Sequence, residues 1–283
     1  MPDTTSLDPR LTPARPDLAA ESLRGQVEAA RFVAGTQRRV AVPVAPLRRR
    51  PAGDAPLDTE ALFGEQVRVF EDDPEGWSWV QLAGDSYVGY MPTDALVPPG
   101  PAPTHRVRAL RTFVFPGPDI KLPPREALVL GSAVVVRELT GAFAVTPDGF
   151  VPAVHLAEAG ERATDFVAEA GRFLGVPYLW GGRSSLGLDC SGLVQTALAA
   201  TGVAAPRDSD MQEAGLGTPV PLDAPLRRGD LLFWPGHVAI AEDADTILHA
   251  NAFHMAVARE PRAGAIARIA AAGSALRSIR RMG

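Results

Sequence analysis

One cysteine, Cys190, occurs in the 283 residues of the chain. That scarcity excludes an intramolecular disulfide and any CxxC metal motif. Long apolar runs are missing as well, none approaching the ~20 residues of a membrane span. Nor is there a basic excess. Lys and Arg number 28 against 33 Asp and Glu, a net charge of −5, which argues against a nucleic-acid partner. The opening MPDTTSLDPRLTPARPDL has neither a basic n-region nor an apolar h-region. From this we expect no secretory signal, no membrane association and a cytoplasmic protein. What remains, 46% hydrophobic and 22% charged residues, suits a globular chain of about two domains at ~150 residues each.

Residues 17–34 (DLAAESLRGQVEAARFVA) contain few breakers and predict a helix within an N-terminal extension, 1–36. From about 38 to 157, prolines and glycines recur every few residues between short alternating runs such as Val67, Val69 and Trp77, Trp79. That texture predicts short strands in small barrels. The region also repeats. RRVAVPVAPLRRRP (38–51) parallels HRVRALRTFVFPGP (105–118), EALFGEQVRV (60–69) parallels EALVLGSAVVV (126–136), and GDSYVGYMPTDAL (84–96) parallels PDGFVPAVHL (147–156). Two copies of one ~60-residue all-β unit, 37–100 and 101–158, account for this, joined by the stiff PPGPAPT stretch.

Beyond Gly160 the pattern turns helical. Phe166, Val167, Ala170, Phe173 and Leu174 lie on one helix face, with Thr164 as the expected cap. A second helix should run from an N-cap at Asp189 to about Ala200, stopped by Gly202. The strands LLFW (231–234), HVAIAE (237–242) and TILHA (246–250) follow. Residues 159–283 therefore read as an α+β domain with an antiparallel sheet.

Cys190 falls in the first turn of the second helix, where half a positive charge and free N–H donors favour a thiolate. If 237–242 and 246–250 form a hairpin centred on residue 243, residue i pairs with 486 − i, setting His237 opposite His249. Ala239 and Ala241 then make a small face on which the cysteine helix could pack. In this arrangement His237 takes the thiol proton and His249 orients the imidazole. His254, His105 and His155 are left as structural. A zinc site from Asp189, Cys190, His237 and His249 lacks tight ligand spacing, and no cofactor is expected.

PYLWGGRSSLGLDCSGLVQTAL (177–198), PRDSDMQ (206–212), RRGDLLFWPGHVAIA (227–241) and ILHA (247–250) resemble the NlpC-type cysteine peptidases of bacterial cell-wall peptides. The resemblance implies a papain-like core with Cys190 as nucleophile, His237 as base and His249 as third polar residue. It also puts Tyr178 beside the thiolate, where its hydroxyl helps hold the oxyanion. ALFGEQVRVF and GWSWVQLAGDSYVGYMP resemble bacterial SH3-like barrels, with Tyr90 where a tryptophan is usual. Two such barrels before an NlpC-type domain look like the γ-D-glutamyl-L-diamino-acid endopeptidases of murein-peptide recycling.

That likeness implies murein peptides with a free N-terminal L-alanine as substrate. Asp189, Ser191, Asp208 and Ser209 match positions holding the substrate's amine and backbone. Tyr87 matches a barrel tyrosine that reaches the same end, and Glu65, in preference to Glu60, is taken as the acid beside it. Trp180 either lines the cleft or fills the core. Rival expectations on the same core are an amidase, a thiol acyltransferase, or a non-catalytic wall-binding protein.

Overall fold

The computed structural model describes residues 7–283. The first six residues of the expected extension lie outside them. The chain divides at Ala159/Gly160 into two compact units.

In the first unit, seven strands from Thr36–Val40 to Leu96–Val97 form one antiparallel sheet around a core that includes Val40, Leu47, Val67, Val80 and Met91. Residues 105–158 build three smaller sheets around Val107, Leu128 and Val151, a core that Phe63 also joins. The sequence repeat reappears as repeated hydrogen bonds. Glu65 N–H donates to Leu62 O and Ser132 N–H to Val129 O, each at 3.0 Å. Gly64 N–H donates to Val40 O and Gly131 N–H to Val107 O, each at 2.9 Å. Both glycines have positive φ, +84° and +93°, which a turn this tight requires of a residue without Cβ. Val40 pairs with Leu96 as Val107 pairs with Leu156.

The helix expected over 17–34 is absent. Leu18–Ala20 is a strand paired parallel with Arg31–Val33, and only Glu21–Leu23 makes a 3₁₀ turn. Leu18, Ala19 and Ala20 are all buried, with Leu18 and Ala20 packed beside Phe70 and Trp79. Pairing with Arg31–Val33 and burial against Phe70 and Trp79 hold these residues extended, so packing overrides propensity.

In the second unit, helix α1 (Phe166–Gly171) is capped by Asp165, not Thr164. Its carboxylate accepts from Val167 N–H at 2.9 Å and Ala168 N–H at 3.1 Å. Helix α2 (Cys190–Ala200) starts on Asp189 and ends before Gly202, as expected. After α3 (Ser209–Gly215) comes an antiparallel sheet in the order Thr218–Val220, Ser278–Arg281, Leu231–Trp234, His237–Ala241, Thr246–Asn251, Ala256–Pro261. Helix α4 (Arg262–Ala271) follows the last of these along the chain.

Two expectations about this sheet need correction. Ala239 and Ala241 cluster with Ala265 of α4, and Ile266 and Ile269 pack on the same group. The alanine face thus receives α4, while α2 also packs against this strand. The hairpin register also differs: Ile240 pairs with Leu248 and Ala241 with Ile247. The loop is longer than assumed because Asp243 caps it, accepting from the N–H groups of Asp245 and Thr246 at 2.8 Å each. The shift is two residues, so every side chain keeps its face.

Candidate active site

Asp189 ends the loop before α2 in extended conformation, and its carboxylate accepts from Gly192 N–H at 2.7 Å. Gly192 must be glycine, because a Cβ there would lie 2.2 Å from the Gly182 carbonyl oxygen. This tight join aims the first residue of α2, Cys190, at the start of the neighbouring strand. The Cys190 thiol lies 4.0 Å from the Gly236 carbonyl oxygen, one residue before His237. Only 7% of Cys190 is exposed. Burial, reinforced by the Asp189 charge, pushes its thiol up to about 12. The helix N-terminus alone does not lower it.

His237 Nε2 and His249 Nδ1 are 2.8 Å apart, and their rings are inclined at 56°. Beyond them, His249 Nε2 lies 2.8 Å from Glu260 Oε1, and Arg268 of α4 donates to the same oxygen. The chain of contacts steps diagonally across three neighbouring strands, since Leu248 pairs with Ile240 on one side and Arg259 on the other. Burial, then the neighbouring His249 and Arg268, lower His237 to about 3. Burial likewise lowers His249, with Glu260 opposing it. Burial thus works against the charged forms of the thiol and of both imidazoles. Tyr178 is half-buried near Cys190 and Asp189, and its hydroxyl is pushed up to about 12, so it is a hydrogen-bond donor. A thiol, a buried imidazole and a hydroxyl donor are the groups that acyl transfer uses.

Residues 175–268 match the NlpC/P60 family. The second unit is an NlpC/P60 domain. Residues 47–96 match the bacterial dipeptidyl-peptidase SH3 domain. The chain is 33% identical over 198 residues to the gamma-D-glutamyl-L-lysine dipeptidyl-peptidase of Bacillus subtilis strain 168, covering 64% of this chain and 65% of that protein. It therefore spans just under two thirds of that relative. It is 29% identical over 232 residues to dipeptidyl-peptidase 6 of Lysinibacillus sphaericus, covering 74% of this chain and 85% of the relative. In fold it resembles the crystal structure of an NlpC/P60 family protein from Bacillus cereus ATCC 10987, with TM-score 0.73 and 21% identity. That likeness covers 87% of this chain and 99% of the other.

Within the NlpC/P60 domain, His237 and His249 are in contact, the Cys190 thiol reaches the backbone just before His237, and Tyr178 lies near enough to Cys190 and Asp189 to feel their charges. Asp189 and Ser191 are committed elsewhere. The fully buried Arg207 donates to Asp189 Oδ1 at 3.0 Å, to Oδ2 at 2.6 Å and to Ser191 Oγ at 3.0 Å. Ser191 Oγ donates to Asp189 Oδ1 at 3.2 Å, and Gly181 N–H to Oδ2 at 2.9 Å. Both carboxylate oxygens are occupied, so holding a substrate amine is not the work of Asp189 in this arrangement. An unpaired Arg207 would be costly, and Asp189 is its counter-ion. Asp208 and Ser209 are half-buried at the start of α3, where the Asp208 side chain makes no cap bond. Trp180 is 67% exposed, which removes it from the core.

In the first unit, Tyr87 is a buried member of the core. Glu65 Oε2 accepts from Leu62 N–H at 3.0 Å within its own turn, as Ser132 Oγ accepts from Val129 N–H at 3.3 Å in the repeat. Glu60 is buried on the strand Leu57–Leu62. Arg207, Glu260 and Arg268 went unread in the sequence. Arg207 stands inside the quoted PRDS segment and Glu260 two residues past the partner of His249, so a second hairpin reading over 246–261 would have found it.

Proposed function

We propose that this chain is a cysteine peptidase that hydrolyses the amide between γ-D-glutamate and the diamino acid in L-Ala-γ-D-Glu-diamino acid peptides of murein. The observation that carries the reading is the buried Cys190 at the start of α2, its thiol 4.0 Å from the carbonyl oxygen that precedes His237, together with the hydrogen-bonded His237–His249 pair. The names of the Bacillus and Lysinibacillus relatives support the substrate class.

His237 accepts the thiol proton as Cys190 Sγ attacks the γ-carbonyl carbon. The oxyanion forms at the positive end of α2, with the Tyr178 hydroxyl as donor. Collapse breaks the C–N bond, His237 returns its proton to the leaving amine, and a thioester remains. Water, deprotonated by His237, then releases L-Ala-D-Glu and the thiol. Asp208 and Ser209 are assigned to the substrate's backbone and amine. Residues 105–158, with the hydrogen bonds of the first barrel repeated, are read as a second SH3-like copy. A peptide whose alanine amine is free is already detached from the wall, which suits recycling in the cytoplasm.

The test is incubation with L-Ala-γ-D-Glu-diamino acid tripeptides, free and N-acetylated, followed by mass spectrometry. The free peptide should yield L-Ala-D-Glu and the Cys190→Ser protein should yield none. A blocked amine should slow cleavage on the order of tenfold to a hundredfold, since it gives up the charge-assisted hydrogen bonds an ammonium would make to Asp208. Equal cleavage of both peptides would remove the free-amine requirement, and turnover by Cys190→Ser would remove the mechanism.

A further inference from the structure

We infer that Glu260, held by Arg268, is a positioning residue that sets the tautomers of both histidines and so leaves His237 Nδ1 as the bare nitrogen for Cys190. The inference rests on the cysteine-peptidase reading above and adds a residue to it.

The argument is one of donors and acceptors. Glu260 Oε1 already accepts from the Arg268 guanidinium and is a carboxylate oxygen, so at 2.8 Å it can only accept from His249 Nε2–H. A neutral imidazole carries one proton. His249 Nδ1 is then bare, and at 2.8 Å it must accept from His237 Nε2–H. His237 Nδ1 is bare in turn, the only ring nitrogen left for the thiol proton. Without an acceptor at position 260, His249 can carry its proton on Nδ1. His237 would then have to offer Nε2 as acceptor and carry its own proton on Nδ1, on the side needed by the thiol. The base would face the wrong way, as in a catalytic triad whose acid is replaced by an amide.

Glu260 is built to hold this position. Its side chain is only 12% exposed. Arg268 reaches it from α4 and lies over the Phe253 ring, 4.2 Å from the centroid. His254 Nδ1 lies 3.6 Å from Glu260 Oε1 and 3.1 Å from Asn251 Oδ1, closing the remaining side. His249 itself is fully buried, so no water replaces the carboxylate as a free partner.

The test uses the full chain, uniformly labelled with ¹⁵N, and long-range ¹⁵N–¹H correlation of the imidazoles at neutral pH. In the unmodified protein both His237 and His249 should show the proton on Nε2. In Glu260→Ala the His249 signal should move toward the Nδ1–H form, with His237 following. In Glu260→Gln, whose carbonyl oxygen Arg268 keeps turned toward His249, both should remain Nε2–H. Tripeptide kinetics should follow the same order. Glu260→Ala should lower kcat on the order of tenfold to a hundredfold with KM within about twofold, and Glu260→Gln should recover most of the loss. Iodoacetamide alkylation of Cys190 should slow in Glu260→Ala alone.

A proton on His237 Nδ1 in the unmodified protein would overturn the inference. So would unchanged tautomers and alkylation in Glu260→Ala, or a Glu260→Gln protein as impaired as Glu260→Ala. If Glu260→Ala does not fold, the unmodified protein and Glu260→Gln still decide it. If the unmodified enzyme leaves the tripeptide uncut, the substrate reading fails while the spectra and alkylation still decide this one.

Discussion

Cys190 sits between two opposing influences. A helix N-terminus favours an adjacent anion by about 0.3–1 kcal/mol, rising to about 2 in partly buried sites. Full burial raises a thiol by several pKa units, each worth about 1.4 kcal/mol. Burial wins here, and the neighbouring Asp189 carboxylate adds to it, leaving the thiol at about 12 and the His237 imidazole at about 3. Both shifts favour the uncharged pair, and in the proposed mechanism the thiolate forms as the proton moves to His237 during attack. This makes a prediction for a reagent that needs no peptide specificity. Alkylation of Cys190 by iodoacetamide, with His237 taking the proton, should vary little between pH 6 and 9 because the imidazole stays uncharged throughout, whereas His237→Gln should react more slowly and accelerate about tenfold per pH unit, following the thiolate fraction. A steep climb already in the unmodified protein would mean that His237 does not assist the thiol.

At the scale of elements, the start of α2 depends on one buried ion pair. Asp189 caps the helix, a contribution of about 1 kcal/mol, and neutralises Arg207 from the segment before α3. Removing one partner of such a pair leaves the other charge uncompensated, at a cost of about 3–5 kcal/mol. Arg207→Leu should lower the urea midpoint accordingly. Adding Asp189→Asn, which keeps a capping oxygen and removes the stranded charge, should recover part of the loss. A fully additive second loss would mean that the two side chains are not coupled. The hairpin carrying the histidines illustrates a different tolerance. Its register is displaced by two residues from a symmetric reading, yet an even displacement keeps His237 and His249 on one face as diagonal neighbours. A displacement of one would have separated them.

For the whole molecule, the two histidines should dominate the mild-acid stability profile. Both are held below their ordinary value by burial. The folded protein therefore binds fewer protons than the unfolded chain between about pH 6.5 and about pH 3. The stability they contribute is complete above about pH 6.5 and is lost as the pH falls toward 3. Asp165, Asp230 and Glu213, held low by their arginine partners against desolvation, act in the same direction only below about pH 4.5. The melting temperature should therefore fall between pH 6.5 and 4.5, and His237→Gln should flatten that fall. An unchanged slope in the variant would place the acid sensitivity elsewhere.

Much of the second unit was legible from neighbouring residues. Asp189 as a cap, Gly202 as a stop and the period-two strands around His237 and His249 are local properties, set within a turn or a strand. The doubled β segment was legible too, because a repeated string repeats its turns, down to Gly64 and Gly131. Tertiary structure decided the rest. Residues 18–20 became a strand because Phe70 and Trp79 offered them burial. Asp189 became the counter-ion of Arg207, eighteen residues away, which withdrew it from the substrate. Glu260 and Arg268 joined the histidines because one strand and one helix brought them there. Charge and hydrogen-bonding capacity are written in each residue. Which partner satisfies them once water is removed depends on what packs nearby, and only the folded chain supplies that.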